Sequence, residues 1–131
     1  MAELWTLQPG DAPLIVNVPH AGVHVPGDIA DGLTPVARTV PDTDWYVDRL
    51  YEFVADMGVT LMSATHSRIV VDLNRDPSGD ALYPGASNTE ICPTTTFHQQ
   101  EIYLPGHAPD RTEIEARVSR YWRPYHHRLT A

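Results

Sequence analysis

Apolar and polar residues follow two periods along the chain, one typical of strands and one typical of helices. The apolar run over residues 13–19 is continuous and closed by a proline, which predicts a short strand buried on both faces. Residues 59–65 and 68–74 are rich in β-branched and apolar side chains. They predict two further strands, joined by a tight turn near His66 and Ser67.

Two other segments repeat their apolar residues with the spacing of a helix. The first follows a cluster of aspartates suited to capping, ends at Gly58, and has as its apolar positions Val47, Leu50, Tyr51, Val54 and Met57. The second begins at Asp110, where Glu113 three residues later predicts a capping box. Pro124 predicts a kink in this helix, whose apolar stripe consists of Ile114, Val118, Trp122, Tyr125 and Leu129.

The order strand, helix, strand, strand, helix predicts an α/β fold, and we expect residues 1–131 to form one domain. Three strands make a small sheet with little cover for its second face, so the chain resembles part of a fold. Residues 75–109 show little periodicity, and such a stretch within a compact domain is typical of a functional loop. We expect this loop to contact the substrate.

Composition and charge narrow the classes of partner. The 131 residues carry 17 Asp and Glu against nine Arg and no Lys, a formal net charge of −8. Nucleic acid and anionic membrane surfaces attract clustered cationic side chains, so we expect neither as a partner. The N-terminus lacks a signal-peptide pattern, and no apolar run approaches the roughly 20 residues that span a bilayer. These features predict a soluble, cytoplasmic protein.

The candidate chemistry begins with metal ligation. Cys92 is the only cysteine, so this chain alone can form neither an internal disulfide nor a sulfur-rich metal cluster. His20 directly follows the first predicted strand, at the carboxyl end where open α/β sheets place their ligand crevice. A histidine there is either a hydrogen-bonded turn residue or a metal ligand, and spacing alone leaves both interpretations open.

Three aspartates, Asp42, Asp44 and Asp48, lie near the start of the first predicted helix. One can cap the helix and another can favour the positive end of its dipole, but capping does not require all three. A carboxylate facing His20 would supply the oxygen ligand of a mixed histidine and carboxylate zinc site, with positions left open for water. Asp44 is the preferred candidate, and Asp48 is more consistent with a structural role.

The residues from Asp72 to Arg75 end the third predicted strand. Alternation along a strand sends Asp72 and Asn74 to one side, while Arg75 emerges into the loop and Arg68 lies at the strand's other end. These charges predict either surface ion pairs of little energetic value or a bidentate clamp on a substrate carboxylate. Spacing does not decide between them. For the scattered remaining histidines we expect solvated side chains: His66, His98, His107, His126 and His127.

Longer motifs follow one another along nearly the whole chain: Pro13-Leu-Ile-Val-Asn-Val-Pro-His-Ala-Gly22, Pro41-Asp-Thr-Asp-Trp-Tyr-Val-Asp-Arg-Leu-Tyr51, Ser67-Arg-Ile-Val-Val-Asp-Leu-Asn-Arg75, Leu82-Tyr-Pro-Gly85 and Cys92-Pro-Thr-Thr-Thr-Phe97. Together they resemble the N-formylglutamate amidohydrolase (N-formylglutamate deformylase) family. The resemblance implies a three-layer α/β/α fold of the phosphorylase/hydrolase type, related to zinc exopeptidases and incomplete in this chain. It also implies zinc-dependent hydrolysis of N-formyl-L-glutamate to formate and L-glutamate, a step of histidine degradation.

The resemblance assigns roles to individual residues. Zinc would be held by His20 and an acidic residue, for which Asp44 is the candidate. In the wider group an Asp-Leu-Asn-Arg motif binds the substrate carboxylate, which favours the clamp interpretation of this segment. Hydroxyl groups of the threonine run could add donors, so the expected substrate-binding residues are Arg68, Asn74, Arg75, Thr94, Thr95 and Thr96.

The family continues for roughly as many residues again beyond the region that this chain resembles. That continuation contains an Asp-Ala-His-Ser segment whose histidine resembles a further zinc ligand, together with the expected general base. The sequence therefore resembles the N-terminal half of an enzyme, and we expect weak zinc binding, self-association or a requirement for a missing C-terminal half. Two alternatives remain: an inactive fragment that retains a carboxylate-binding crevice, and an amidohydrolase for another N-acyl amino diacid.

Overall fold

The sheet has three strands, β1 (Trp5–Gln8), β2 (Ile15–Val18) and β3 (Thr60–Ala64), in a computed structural model that describes residues 3–78 and 90–130. Their order is β1-β3-β2, with β1 antiparallel and β2 parallel to the central β3. The predicted strands over 13–19 and 59–65 are therefore confirmed in their central residues. The chain is a small α/β fold.

The central strand β3 is buried on both faces of the sheet. Successive side chains of a strand point to opposite faces. Leu61 packs with Val18, Val54 and Val59 on one side. Met62 belongs to the larger core on the other side, which includes Tyr125 from the C-terminal helix. Helical segments therefore cover both faces of β3.

Strand β1 is not predicted by the sequence pattern. Its four residues alternate between half-buried Trp5 and Leu7 and exposed Thr6 and Gln8, as a half-buried strand requires. Four residues are too few to establish a period on their own, and the strand is held by its antiparallel pairing with β3.

Residues 68–74 form a buried turn, so the strand predicted there is wrong. Arg68 and Asp72 form an ion pair with 2.8 Å between Nη2 and Oδ2, whereas four residues of extended strand would span about 13 Å. The Asp72 carboxylate also accepts the N–H of Asn74, as in an Asx turn. The apolar content that suggests a strand reflects burial of the three intervening side chains, Ile69, Val70 and Val71.

The first predicted helix is two single turns, α2 (Val47–Leu50) and α3 (Phe53–Asp56), and no side chain caps either. Asp42, a predicted cap, instead accepts the N–H of Phe97 through Oδ2. Tyr46, which precedes α2, has a φ of 62°, a left-handed conformation incompatible with a helix running on from the aspartates. Gly58, with a φ of 75°, follows α3 at the predicted end. Large apolar side chains are exposed around these turns: Trp45, Leu50, Phe53 and Met57.

The described part of the predicted loop 75–109 packs into the core. Its buried apolar residues are Ile91, Cys92, Ile102 and Tyr103, and Tyr103 pairs with Leu33 in an isolated bridge. Leu33 lies between helix α1 (Gly27–Ala30) and a 3-10 turn at Ala37–Thr39. Residues 79–89 of the loop, with the motif at 82–85, lie outside the described residues.

The C-terminal helix consists of α4 (Arg111–Arg117), a π-helical turn (Val118–Trp122) and α5 (Arg123–Thr130). Asp110 caps α4 as predicted, because its carboxylate accepts the Glu113 N–H at 2.8 Å. The π-helical turn ends two residues before Pro124, where the sequence predicts a kink. Proline has no N–H to close an ordinary α-helical turn. Among the described residues, no helix has the length and apolar character needed to cross a membrane.

Candidate functional site

His20 lies at the carboxyl end of β2 and is 8% exposed. Its backbone carbonyl accepts the N–H of Asp44 at 2.9 Å, which holds the aspartate segment against the end of the strand. The side chains then meet: His20 Nδ1 lies 3.8 Å from Asp44 Oδ2. The structure therefore brings together the two residues that the sequence proposes as metal ligands.

Asp72 binds the opposite nitrogen of the same imidazole, a contact that the sequence does not predict. His20 Nε2 lies 2.7 Å from Asp72 Oδ1, which also accepts the Asn74 N–H at 2.9 Å. Arg68 Nη2 donates to Asp72 Oδ2 at 2.8 Å. Burial by itself would raise the pKa of Asp72, but the His20 hydrogen bond, the charges of His20 and Arg68 and the Asn74 N–H together lower this pKa to about 2. Asp72 is therefore an ionised buried carboxylate with several donors.

Arg68 connects this group to a cavity of about 220 Å³. It is buried, donates through Nη1 to the Asp42 carbonyl oxygen at 3.4 Å, and lies 4.9 Å from the ring centroid of Phe97. Its ion pair with Asp72 is buried, so the surface ion pair considered for Arg68 from the sequence does not describe this contact. The cavity wall includes Asp42, Arg68, Asp72, Arg75, Thr95 and Thr96.

The other predicted substrate-binding residues divide into two groups. Arg75 and Thr95 line the cavity, and Arg75 Nη1 also donates to the Asn74 carbonyl at 2.9 Å. Asn74 is exposed and Thr94 is half-buried, and neither lines the cavity as the described residues define it. Thr94 Oγ1 donates instead to Glu90 Oε1 at 2.6 Å. Thr96 is buried in the wall and Phe97 lies beside it, and the sequence gives Phe97 no role.

Two of the histidines expected to be solvated are not. His66 is buried, and its ring lies 4.7 Å from that of His24 and 5.1 Å from that of Tyr121. Burial, and secondly the neighbouring His24, lowers the pKa of His66 to about 4. His126 is half-buried and its Nε2 lies 2.7 Å from the Leu73 carbonyl oxygen. The other three histidines are exposed as predicted: His98, His107 and His127.

A second cavity and the cysteine do not belong to the group of contacts around His20, Asp72 and Arg68. A larger cavity of about 440 Å³ lies between α1 and the start of α4, and the predicted site residues are absent from its described wall. Cys92 is buried, and burial raises the pKa of its thiol to about 11, so it stays protonated and unreactive near neutral pH.

The donor set at His20 matches what zinc takes in proteins. An imidazole nitrogen, Nδ1 of His20, and the Asp44 carboxylate converge, while a second carboxylate binds the far nitrogen of the ring. Catalytic zinc sites usually have three protein ligands. No cluster of three or more His, Cys, Asp or Glu suited to a metal occurs within residues 3–78 and 90–130. His20 and Asp44 would therefore supply two ligands to a zinc ion, and a catalytic zinc site would need a third.

The chain is similar in sequence and in structure to known proteins. A family profile described as N-formylglutamate amidohydrolase matches residues 12–131. N-formylglutamate deformylases of Pseudomonas putida and Pseudomonas aeruginosa are 38% and 36% identical over 126 residues, which make up 96% of this chain and 47% of each relative. A crystal structure of N-formylglutamate amidohydrolase from Ralstonia eutropha matches with a TM-score of 0.74 and 32% identity, over 97% of this chain and 49% of that one. The chain thus spans about half the length of these relatives.

Proposed function

Because the chain belongs to the N-formylglutamate amidohydrolase family, we propose that it carries part of the active site of an enzyme that hydrolyses N-formyl-L-glutamate to formate and L-glutamate. In this reaction the oxygen of water adds to the formyl carbon, the C–N bond breaks, and the amine leaves with a proton. We also propose that the fold is the incomplete form of a three-layer α/β/α hydrolase fold, which the helical segments on both faces of β3 support.

The observation that carries this proposal is a series of side-chain contacts through Asp44, His20, Asp72 and Arg68. The first is an approach of 3.8 Å between Asp44 and His20, and the other two are hydrogen bonds of 2.7 and 2.8 Å. The series runs from the two candidate zinc ligands to the wall of the cavity, so a reacting amide and a bound carboxylate would lie side by side. The cavity of about 220 Å³ is smaller than the roughly 300–1,000 Å³ pockets that hold drug-sized ligands, in keeping with a substrate the size of an amino acid.

The candidate metal ligands and the cavity wall have distinct chemical tasks. His20 and Asp44 would hold zinc, which when bound polarises a carbonyl and makes water nucleophilic at neutral pH. Arg75, at the cavity wall, would bind a substrate carboxylate through its planar fork, and the Thr95 hydroxyl could add a donor. Fixing the carboxylate at a set distance from the metal ligands orients the formyl group for attack.

The test measures formate release and bound zinc together. We expect residues 1–131 alone to bind zinc weakly and release little formate from N-formyl-L-glutamate. Adding the remaining half of the Pseudomonas putida relative as a separate chain should raise both, and a chelator should abolish the gain. A substrate panel with N-formyl-L-aspartate and N-acetyl-L-glutamate identifies the acyl group and the diacid. Absence of formate release from every combination, with both chains folded and zinc-loaded, would reject the proposed activity.

Arg75 gives a prediction specific to carboxylate recognition. Arg75→Ala should weaken binding of N-formyl-L-glutamate by about ten- to thirtyfold, or about 1.4–2 kcal/mol, the range of a hydrogen bond to a charged group. Arg75→Lys should recover only part of the loss, because an ammonium cannot make the bidentate contact. Calorimetric titration with the active combination of chains measures the effect.

The control variant for Arg75 is Arg111→Ala, since Arg111 is exposed on α4 and does not line this cavity. A control ligand is N-formyl-L-glutamine, which lacks the side-chain carboxylate. Equal affinity of the parent and Arg75→Ala for the diacid would assign Arg75 a structural role instead.

A further inference from the structure

The two edges of the sheet differ in the side chains that they expose. Strands β1 and β2 are the outer strands, and each pairs only with β3 among the described residues. Strand β1 exposes the polar side chains of Thr6 and Gln8. At β2 the exposed side chains include Leu14 and Ile15, which are 57% and 48% exposed. Apolar side chains beside an open strand edge favour pairing with another strand, so β2 is the edge suited to association.

Strand β2 also has backbone groups that point away from the sheet. The Leu14 carbonyl oxygen accepts the N–H of Thr60 at 3.2 Å, so Leu14 directs its carbonyl toward β3. Alternate residues of a strand direct their N–H and C=O groups to opposite edges, so Ile15 and Asn17 direct theirs outward. These outward groups make no backbone hydrogen bond within residues 3–78 and 90–130. The edge therefore offers two donors and two acceptors to an incoming strand.

A second copy of β2 supplies the same four groups in a complementary arrangement. Let it run antiparallel about a twofold axis, with Val16 opposite Val16 of the second copy. Ile15 then lies opposite Asn17, and each such pair exchanges two N–H···O=C bonds. This register leaves no outward group of Ile15 or Asn17 unpaired. Residues that lie opposite each other also point to the same face, so the apolar face of each sheet continues across the junction.

The charge distribution favours contact at this edge. With a formal net charge of −8, two copies repel each other over most of their surfaces. Strand β2 lies in the stretch between Asp11 and Asp28, which has no Asp, Glu, Lys or Arg, so the paired strands set no like charges opposite one another. Pro13 and Pro19 flank the strand, and because proline has no N–H they limit the pairing to the residues between them.

We propose that β2 is a self-association edge, at which two copies of this chain pair their β2 strands antiparallel about a twofold axis at Val16 and join their sheets into one. The same surface is used by both copies, so the assembly closes as a dimer and does not extend into a fibre. This inference is independent of the proposed function, because none of the residues that form the ladder belongs to the candidate zinc site or to the cavity wall.

Sedimentation velocity of residues 1–131, with a chelator present so that no metal links the copies, measures the association. The parent should sediment as a dimer at about 100 µM. Ile15→Lys places a charge at the edge and should raise the dimer dissociation constant about tenfold or more. Thr6→Lys is the matched control, because Thr6 is exposed on the opposite edge strand, and it should leave the constant unchanged. A parent that stays monomeric, or equal effects of the two substitutions, would overturn the proposal.

Cysteine cross-linking tests the register independently of affinity. Opposite residues of a non-hydrogen-bonded antiparallel pair have Cα atoms about 4.5 Å apart, within the range that a disulfide spans. Val16→Cys should therefore form a disulfide between two copies under oxidising conditions, whereas Thr6→Cys should not; the native Cys92 is buried. Circular dichroism confirms that each variant is folded. A folded Val16→Cys chain that forms no more cross-link than Thr6→Cys would overturn the pairing at Val16.

The relatives contain a further half of chain, which is the alternative occupant of this edge. The remaining half of the Pseudomonas putida relative is therefore added as a separate chain in the same sedimentation experiment. A parent that is monomeric alone and forms a one-to-one complex with that half, lost in Ile15→Lys, would assign the edge to the second half and overturn self-association. A dimer of the parent alone that Ile15→Lys dissociates would support it, whether or not the combined chains release formate.

Discussion

Replacing Arg117 by alanine is expected to lower the free energy of unfolding by about 3–5 kcal/mol. The guanidinium is buried: Nε donates to Glu113 Oε1 at 3.0 Å, and Nη1 donates to the Tyr103 hydroxyl at 2.6 Å and to the Val70 carbonyl at 3.2 Å. Truncation leaves the carbonyl and the phenol without this donor and opens a cavity beneath α4. Urea denaturation of parent and variant measures the difference.

The same helix offers a matched control. Arg111 and Glu115 also form an i,i+4 pair on α4, but the side chain of Arg111 is 94% exposed and the N···O distance is 3.4 Å. Arg111→Ala should change stability by less than about 0.5 kcal/mol. Equal losses from the two variants would show that Arg117 contributes only as a surface charge, contrary to its buried contacts.

Acidification from pH 7 to pH 4.5 is expected to lower the stability of the fold by about 2 kcal/mol through His66 alone. In the unfolded chain His66 takes up a proton as the pH falls below about 6.5, whereas its pKa in the fold is lowered to about 4. Between these values the unfolded state binds more protons, so acid favours unfolding. The groups around the ring are His24, Tyr121 and the Thr65 hydroxyl, and none of them is a carboxylate that could stabilise the imidazolium.

His66→Phe removes this titration while keeping a ring against Tyr121. The stability difference between pH 7 and pH 4.5 should shrink by about 2 kcal/mol in this variant, and His127→Gln, at an exposed position, should leave the difference as in the parent. Measurements stop at pH 4.5 because the depressed pKa of Asp72 affects stability only at lower pH. An undiminished difference in His66→Phe would contradict the assignment.

Local patterns were sufficient for the elements that carry strong local signals. The apolar runs around β2 and β3, the Asp110 cap and the glycine that ends α3 were all predictable, because each depends on neighbouring residues. The proximity of His20 and Asp44 was also predictable, since it follows from the strand end and the next helical segment meeting at one edge of the sheet.

The features that could not be predicted from the sequence depend on contacts between segments that are distant along the chain. Residues 68–74 have strand-like composition, but the ion pair between Arg68 and Asp72 and the bond from His20 favour a turn. Asp42 resembles a helix cap, yet its carboxylate is bound by the distant Phe97 N–H. His66 is buried partly because Tyr121 of the C-terminal helix covers it, and its histidine neighbour comes from the loop after β2.

The π-helical turn at Val118–Trp122 sets the rotational phase of the end of the chain. An α-helix advances by about 100° per residue, so one extra residue in a turn rotates all later side chains by about that angle relative to an uninterrupted helix. With this phase, the Trp122 indole donates a hydrogen bond to the Arg75 carbonyl at 3.0 Å, and His126 Nε2 lies within hydrogen-bond distance of the Leu73 carbonyl. The helix therefore contacts the backbone on both sides of Asn74. The number of residues in this turn is therefore as important as their identity. Deleting one of them would rotate the side chains that contact the Leu73–Arg75 backbone away from it, even if every remaining side chain were kept.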